Sequence, residues 1–273
     1  MNDTAIRWTE KTWNPWSGCT KVSAGCRHCY ALTLAEAKRG TPAFPKGFDL
    51  TMRPHKLREP FAVKIPSLIF VNSMSDFFLD QVTDQDRDRA LDVIEATPQH
   101  EYQVLTKRPE NALRYSRRRP LPGNFWMGVS IENQSTAGRL DVLKEIEAGI
   151  LWVSAEPLLG PLTLDLSGVS WLITGGESGA HLMDPAIRES RSLCTYNGYK
   201  WTPRPDRISW VQSIRDQCLA FGTKFLHKQW GGYRPDSAGH LLDGRNWDEY
   251  PRLPRKPEPA FHVELEAAEN RLI

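Results

Sequence analysis

Six short apolar runs recur along the chain, and each ends in polar or glycine residues. They are SLIFVNS (67–73), YQVLTKR (102–108), FWMGVSIEN (125–133), LWVSAEP (151–157), WLITGGESG (171–179) and KFLHKQWGG (224–232). Runs that are apolar at nearly every position suit strands buried on both faces, as in a parallel sheet. Between them the apolar spacing turns helical. Residues 84–97 place Ala90, Leu91 and Ile94 on one stripe behind an N-cap at Thr83. Residues 134–148 stripe Leu140, Leu143 and Ile146 and stop at Gly149. Residues 206–221 stripe Ile208, Val211, Ile214, Cys218 and Phe221 and stop at Gly222, and 30–39 is helix-prone up to Gly40. Strand alternating with helix predicts an α/β fold: a partial (β/α) barrel of about six parallel strands, TIM-barrel-like.

In such folds the functional site lies at the carboxyl ends of the strands. Those ends here are Asn72, Ser73, Ser75 and Asp76; Thr106, Lys107 and Arg108; Ser130, Glu132 and Asn133; Ser154 and Glu156; Gly175, Gly176, Glu177 and Ser178; Lys228 and Gln229. Strand ends meet water, so one polar end means little. Six together outline a pocket lined with small, charged and amide groups. Three segments break the alternation. Residues 40–66 hold five prolines and read as a long connection. Residues 180–207 are too long for a simple βα loop. They mix Arg188, Arg191, Lys200, Arg204 and Arg207 with Tyr196, Tyr199 and Trp201, the combination that phosphate contacts and base stacking need. The tail, 233–273, is expected to wrap the barrel. The expected organisation is a single domain over 1–273, with the barrel at about 5–232.

Composition narrows the class. The 273 residues carry a net charge of +2, so no global polyanion signal is present. No apolar run approaches the roughly 20 residues that cross a bilayer, and the start, MNDTAIRWTEK, lacks the apolar core of a signal peptide. Five cysteines in a chain this long do not make a secreted disulfide scaffold. The expectation is a cytoplasmic protein with no membrane association, in a reducing compartment where thiolates are available as ligands.

Three of those cysteines, Cys19, Cys26 and Cys29, fall within eleven residues, spaced C-x6-C-x2-C. They follow a short strand-like stretch, AIRWTEKTW, and precede the helix-prone segment at 30, which places them at the barrel mouth. Zinc would need a fourth ligand, His28 or a distant His, and no second CxxC is present. A redox CxxC would not need Cys19. Three thiolates suit a [4Fe–4S] cluster with one open iron, whereas electron-transfer clusters use four protein ligands. An open iron binds the amino and carboxylate groups of S-adenosyl-L-methionine, and an electron from the cluster then yields a 5′-deoxyadenosyl radical.

The cysteine loop resembles that of radical S-adenosylmethionine enzymes, whose usual form is C-x3-C-x2-C with an aromatic residue before the last cysteine. Here His28 stands at that place, and the first spacing is six. Across the chain, TWNPWSGCTKVSAGCRHCYA, VNSMSDFF, QVLTKRPE, GVSIEN, SAEPLLGPL, GGESG, DQC, KQWG and LDGRNWDE together are similar to a family of phage and prophage three-Cys-motif proteins of unknown function. The insertion at 188–207 lies outside what that resemblance carries over. It implies a radical-SAM-type barrel, a [4Fe–4S] cluster held by Cys19, Cys26 and Cys29, bound S-adenosyl-L-methionine, an external electron donor, a nucleic-acid or nucleotide substrate and a phage-encoded partner protein. His28 would meet the adenine or the backbone. Ser130, Glu132 and Asn133 would meet the ribose hydroxyls. Asn72, Ser73 and Ser75 would meet the methionyl amine or carboxylate, with Asp76 beside them. Gly175 and Gly176 would let a ligand approach the backbone, and Glu177, Lys107 and Glu156 are the candidate catalytic groups. Two other functions use the same residues. One is a zinc-stabilised nucleic-acid- or partner-binding protein. The other is a hydrolase working through Asp76, Glu132, Glu156 and Glu177.

Overall fold

The computed structural model of the chain describes residues 1–254. Seven parallel strands form one sheet in chain order: β1 (Lys11–Trp13), β2 (Leu68–Val71), β3 (Glu101–Thr106), β4 (Phe125–Ser130), β5 (Ile150–Ala155), β6 (Trp171–Gly175) and β7 (Lys224–Gln229). The six apolar runs are β2–β7. The strand count rises to seven because the stretch before the cysteines pairs in parallel with β2. Residues Asn2–Asp3 add an antiparallel edge to β1. The first and last strands do not pair, so the curl stays open. Arg7 spans the gap, donating to the Lys228 carbonyl at 2.9 Å and to Asp248 at 3.0 Å.

Helices follow the strands: α1 (Tyr30–Ala37), α2 (Asp84–Glu95), α3 (Pro109–Arg118), α4 (Arg139–Lys144), α5 (Pro185–Arg191) and α6 (Pro205–Phe221). Thr83 caps α2 as expected, accepting from the Asp86 N–H, and α6 stops at Gly222 in the left-handed conformation. The helix expected over 134–148 is shorter. Asn133 and Thr136 close a capping box around the single turn Gln134–Thr136, and α4 begins afresh after Gly138. The insertion is built from α5 and a hairpin of Cys194–Tyr196 with Trp201–Pro203. It ends before 207, because Pro205 already starts α6.

The alternation hidden inside the apolar runs now separates two cores. Ile69, Val71, Tyr102, Val104, Phe125, Met127, Val153, Leu172 and Phe225 pack with the helices. Leu68, Phe70, Trp126, Ile150, Trp152, Trp171, Ile173 and Leu226 join Trp8 in a second cluster inside the curl. Successive strand residues point to opposite faces, so both faces are apolar at this level. Four tryptophans floor the barrel, as the run-opening positions of Trp126, Trp152 and Trp171 suggest: Trp8 lies 5.5 Å from Trp152, Trp152 5.4 Å from Trp171 and Trp171 5.7 Å from Trp126. The described part of the tail, 233–254, lies along β7 and reaches this floor, with Trp247 on Phe225 and Tyr250 on Trp171. Residues 255–273, the rest of the expected wrap, lie outside the described residues. Among the described residues no helix is long and apolar enough to cross a membrane.

Gly128 faces the floor, where a Cβ would stand 2.3 Å from Trp152 Cε2. Trp152 is itself wedged between Trp8 and Trp171 and cannot retreat. Gly128→Ala is therefore expected to destabilise the protein by about 1–3 kcal/mol through overpacking, read from urea unfolding at an unchanged m-value.

On β7, His227 is fully buried, with its Nδ1 2.9 Å from Thr174 Oγ1. Burial, with Arg7 and His240 adding, pushes its pKa down from 6.5 to about 3. Below pH 6.5 the unfolded chain takes up a proton that the folded chain refuses until about pH 3. Acidification through that window therefore favours unfolding. From about pH 7 to about pH 5 this one group is expected to remove about 2 kcal/mol of stability. Urea midpoints should show that slope flattened in His227→Gln.

Candidate functional site

The parity that sends the tryptophans inward continues to the carboxyl end of each strand. There it places Asn72, Lys107, Ser130, Glu132, Ser154, Glu156, Gly175, Glu177 and Lys228 on the lumen face. The barrel is thus apolar at its floor and charged at its mouth. Most of those charges are already paired. Glu156 binds Lys228 at 2.6 Å, and Lys107 lies 3.4 Å from Glu132. Glu177 takes both Nε and Nη2 of Arg191, at 2.7 and 2.8 Å.

The cysteine loop crosses this mouth between β1 and α1. Its entry is fixed at Gly18, which donates to the Met74 carbonyl and accepts the Ser75 hydroxyl at 2.5 Å. Gly18 has φ +95°, and a Cβ there would meet the Asp49 carbonyl at 2.5 Å, so no other residue suits the turn. Beyond Cys19, two strand ends and the end of α5 grip the loop. Arg108 donates to Thr20 O and Oγ1 at 3.0 and 2.6 Å and reaches Cys19 Sγ at 3.8 Å. Glu132 accepts from Ser23 Oγ at 2.7 Å and lies against Gly25, whose absent Cβ would stand 2.5 Å from its Cγ. Arg191, held by Glu177, donates to Ala24 O at 3.0 Å. All three contacts fall on the six residues between Cys19 and Cys26. The wider spacing that sets this loop apart supplies its grips.

Each grip is backed from behind. Asp76 is buried and accepts from Phe78 N, Thr106 Oγ1, Lys107 N and Arg108 Nη1, all between 2.7 and 3.1 Å. Burial works against the Arg108 charge, but Asp76 and then Cys19 outweigh it and raise its pKa. Burial likewise pushes the Glu132 carboxyl up, while Lys107, Ser23 and Arg139 together hold it below the usual range. For the Cys19 thiol burial wins: with Asp76 adding, its pKa rises to about 11 against the pull of Arg108. Cys29 sits at the N-cap of α1. His28 stacks on His181 at 4.1 Å with rings 3° from parallel, and neither ring's Nε2 has a hydrogen-bond partner.

Several expected ligand contacts are used by the protein itself. Ser73 pairs with Asn14, Ser75 with Gly18, and Asp76 with the Arg108 grip. Asn133 turns away from the lumen and caps the turn after β4, whereas Ser130 and Glu132 face the lumen. The space at Gly175 is filled by Glu156, whose Cδ would be 2.9 Å from a Cβ. At Gly176 a Cβ would meet the Trp230 carbonyl at 2.0 Å. These glycines admit neighbouring protein atoms. Two expected ligand residues keep free polar atoms: Asn72 Oδ1 and Ser130 Oγ are buried without partners. Among the described residues no three His, Cys, Asp or Glu side chains already converge as a metal cage. Part of the insertion's basic set has partners within the protein. Arg191 serves Glu177, Arg204 pairs with Glu189, and Arg207 donates to the Ser192 and Glu189 carbonyls. Arg139, which supports Glu132 at 2.9 Å, lies on a helix and carried no signal.

A family model described as "Protein of unknown function (DUF5131)" matches residues 3–201 and 198–251, two segments that meet within the insertion. No curated protein matches the sequence. Among solved structures, a mutant of spore photoproduct lyase is 14% identical, covers 83% of this chain and 78% of its own, and superposes with a TM-score of 0.53. Another mutant of that protein, solved with dinucleoside spore photoproduct, is 14% identical over 78% of this chain and 74% of its own, with a TM-score of 0.49. At such identity the first likeness is one of fold. It places the open seven-stranded curl with the partial barrels of radical-SAM type.

Proposed function

Because the chain belongs to DUF5131, a family of unknown function, its activity has to be argued from its site, and we propose that it is a radical S-adenosylmethionine enzyme acting on nucleic acid or a nucleotide. One observation carries this reading. A loop with three cysteines is gripped by Arg108, Glu132 and Arg191 across the mouth of a barrel of radical-SAM type.

The residues present fit the implied cofactors. The donor set is three half-buried thiols on one loop, which suits a [4Fe–4S] cluster with one iron left for S-adenosyl-L-methionine. The unpartnered Asn72 Oδ1 and Ser130 Oγ are buried polar atoms that a polar ligand would satisfy. When bound, the pair supplies reductive cleavage of the sulfonium C–S bond: one electron from an external donor gives methionine and a 5′-deoxyadenosyl radical.

The chain's own groups do the rest. Cys19, Cys26 and Cys29 would hold the cluster through their sulfurs, and Arg108 would offset charge at Cys19 with a charge-assisted hydrogen bond to sulfur. Asn72 accepts a proton donor such as an ammonium group through Oδ1. Ser130 offers a hydroxyl to donate or accept. His28 presents a ring already stacked on His181, a flat wall for an aromatic base. Glu156, paired with Lys228, and Lys107, paired with Glu132, would face a substrate at the mouth. The nucleic-acid part rests on the insertion's aromatic and cationic residues, and on the photoproduct lyase whose fold the chain shares.

The test is anaerobic purification and reconstitution with iron and sulfide. Bound iron and sulfide, visible absorbance and 5′-deoxyadenosine formed on reduction are then measured. Cluster and nucleoside together support the reading. Tightly held stoichiometric zinc with no 5′-deoxyadenosine sinks it in favour of a zinc-stabilised binding protein.

A further inference from the structure

Outside the barrel mouth, the insertion and the start of the tail form a groove of about 460 Å³ lined by Met183, Tyr196, Tyr199, Trp201, Tyr233 and Arg234. Tyr196 and Trp201 are cross-strand partners in the hairpin, with rings 5.2 Å apart and tilted by 33°. Tyr199 is 89% exposed and Tyr233 50%. Aromatic rings left in water on one small surface mark a contact site. The cations beside them differ from the rest of the insertion. Arg204 is bound by Glu189 and Asp206, and Arg191 by Glu177. Arg188 instead lies 5.7 Å over the Trp201 ring and donates only to the Leu182 and Met183 carbonyls. Among the described residues Arg188, Lys200 and Arg234 have no ion-pair partner, and none of the lining side chains is acidic. Flat rings with unpaired cations and no carboxylate complement a ligand with flat faces and negative charge.

The groove is coupled to the mouth through the backbone. Gly231 and Gly232, at φ +89° and +121°, fold the end of β7 against Glu177. A Cβ on Gly231 would meet the Glu177 carbonyl at 2.2 Å, and the Gly232 N–H donates to it. Tyr233 and Arg234 follow at once.

We propose that this groove docks single-stranded nucleic acid, with unpaired bases stacked on Trp201, Tyr199 and Tyr233 and phosphates set against Arg188, Lys200 and Arg234. The proposal rests on the nucleic-acid part of the function argued above and names where the strand beside the reacting nucleotide is held. Stacking on aromatic faces tolerates any base, and the cations track the backbone.

Fluorescence anisotropy with a fluorescein-labelled single-stranded oligodeoxynucleotide, and with its duplex, tests it at several salt concentrations. Tyr199→Ala and Tyr233→Ala are expected to weaken single-strand binding about tenfold each. Arg234→Gln should lower the slope of log affinity against log salt by about 0.7. All three side chains are exposed, so unfolding midpoints should stay at the wild-type value, which separates lost contacts from lost fold. Unchanged affinity in the Tyr199→Ala/Tyr233→Ala double variant, or a duplex bound as tightly as the single strand, overturns the groove. So does loss in these variants of a protein partner's binding alone. The wild-type protein is assayed separately for 5′-deoxyadenosine: its absence sinks the radical chemistry and leaves the measured groove contacts standing.

Discussion

Single replacement of Cys19, Cys26 or Cys29 by Ala is expected to prevent a [4Fe–4S] cluster from loading and to take 5′-deoxyadenosine formation below detection. Losing a direct ligand should exceed the about 10–100-fold cost of losing an outer-shell partner. No spare thiol can stand in. Cys194 and Cys218 are fully buried in the main core, whereas the three loop thiols are only partly buried. Cys218→Ala is accordingly expected to load iron like the wild type. Iron and sulfide per chain after anaerobic reconstitution decide the matter. If a loop variant keeps a full cluster, or Cys218→Ala loses it, the ligand assignment fails.

The second large effect is at Arg191. Arg191→Met is expected to cost about 3–5 kcal/mol, because Glu177, 6% exposed, would lose its bidentate partner and keep only His181 Nε2 at 3.5 Å. Removing the exposed Arg117–Glu145 pair should cost at most about 1 kcal/mol. Urea unfolding of Arg191→Met, Glu177→Gln and the double variant closes a cycle. Recovery in the double variant assigns the loss to the stranded carboxylate, whereas additive losses would show that the two side chains act separately. Arg191 also holds Ala24 O, so the double variant should regain stability and still load iron more weakly than wild type.

Much of this architecture was legible in the sequence because apolar runs of strand length alternate with helical stripes. Every one of the six runs is a strand, and Thr83 and Gly222 mark the helix ends they suggest. The inside and outside of the strands were not legible. Where tryptophans floor the lumen and aliphatics pack the helices, both faces are apolar and period two leaves no trace. The polar strand ends were found, but their partners were not. Glu177 is satisfied by a residue of the insertion, and Glu132 by one on α4. A spacing of six between Cys19 and Cys26 reads as a departure from a pattern until Thr20, Ser23 and Ala24 are seen in the grip of Arg108, Glu132 and Arg191.

The hydrogen bond from Arg191 to Ala24 joins residues 167 apart in the chain. At synthesis rates of about 5–20 residues per second, Ala24 precedes Arg191 on the ribosome by roughly 8–33 s. During that interval the cysteines are free of their last restraint, and the barrel that gives the loop its floor is missing β7. The loop's partners therefore become available in the order of translation, from Ser75 through Arg108 and Glu132 to Arg191.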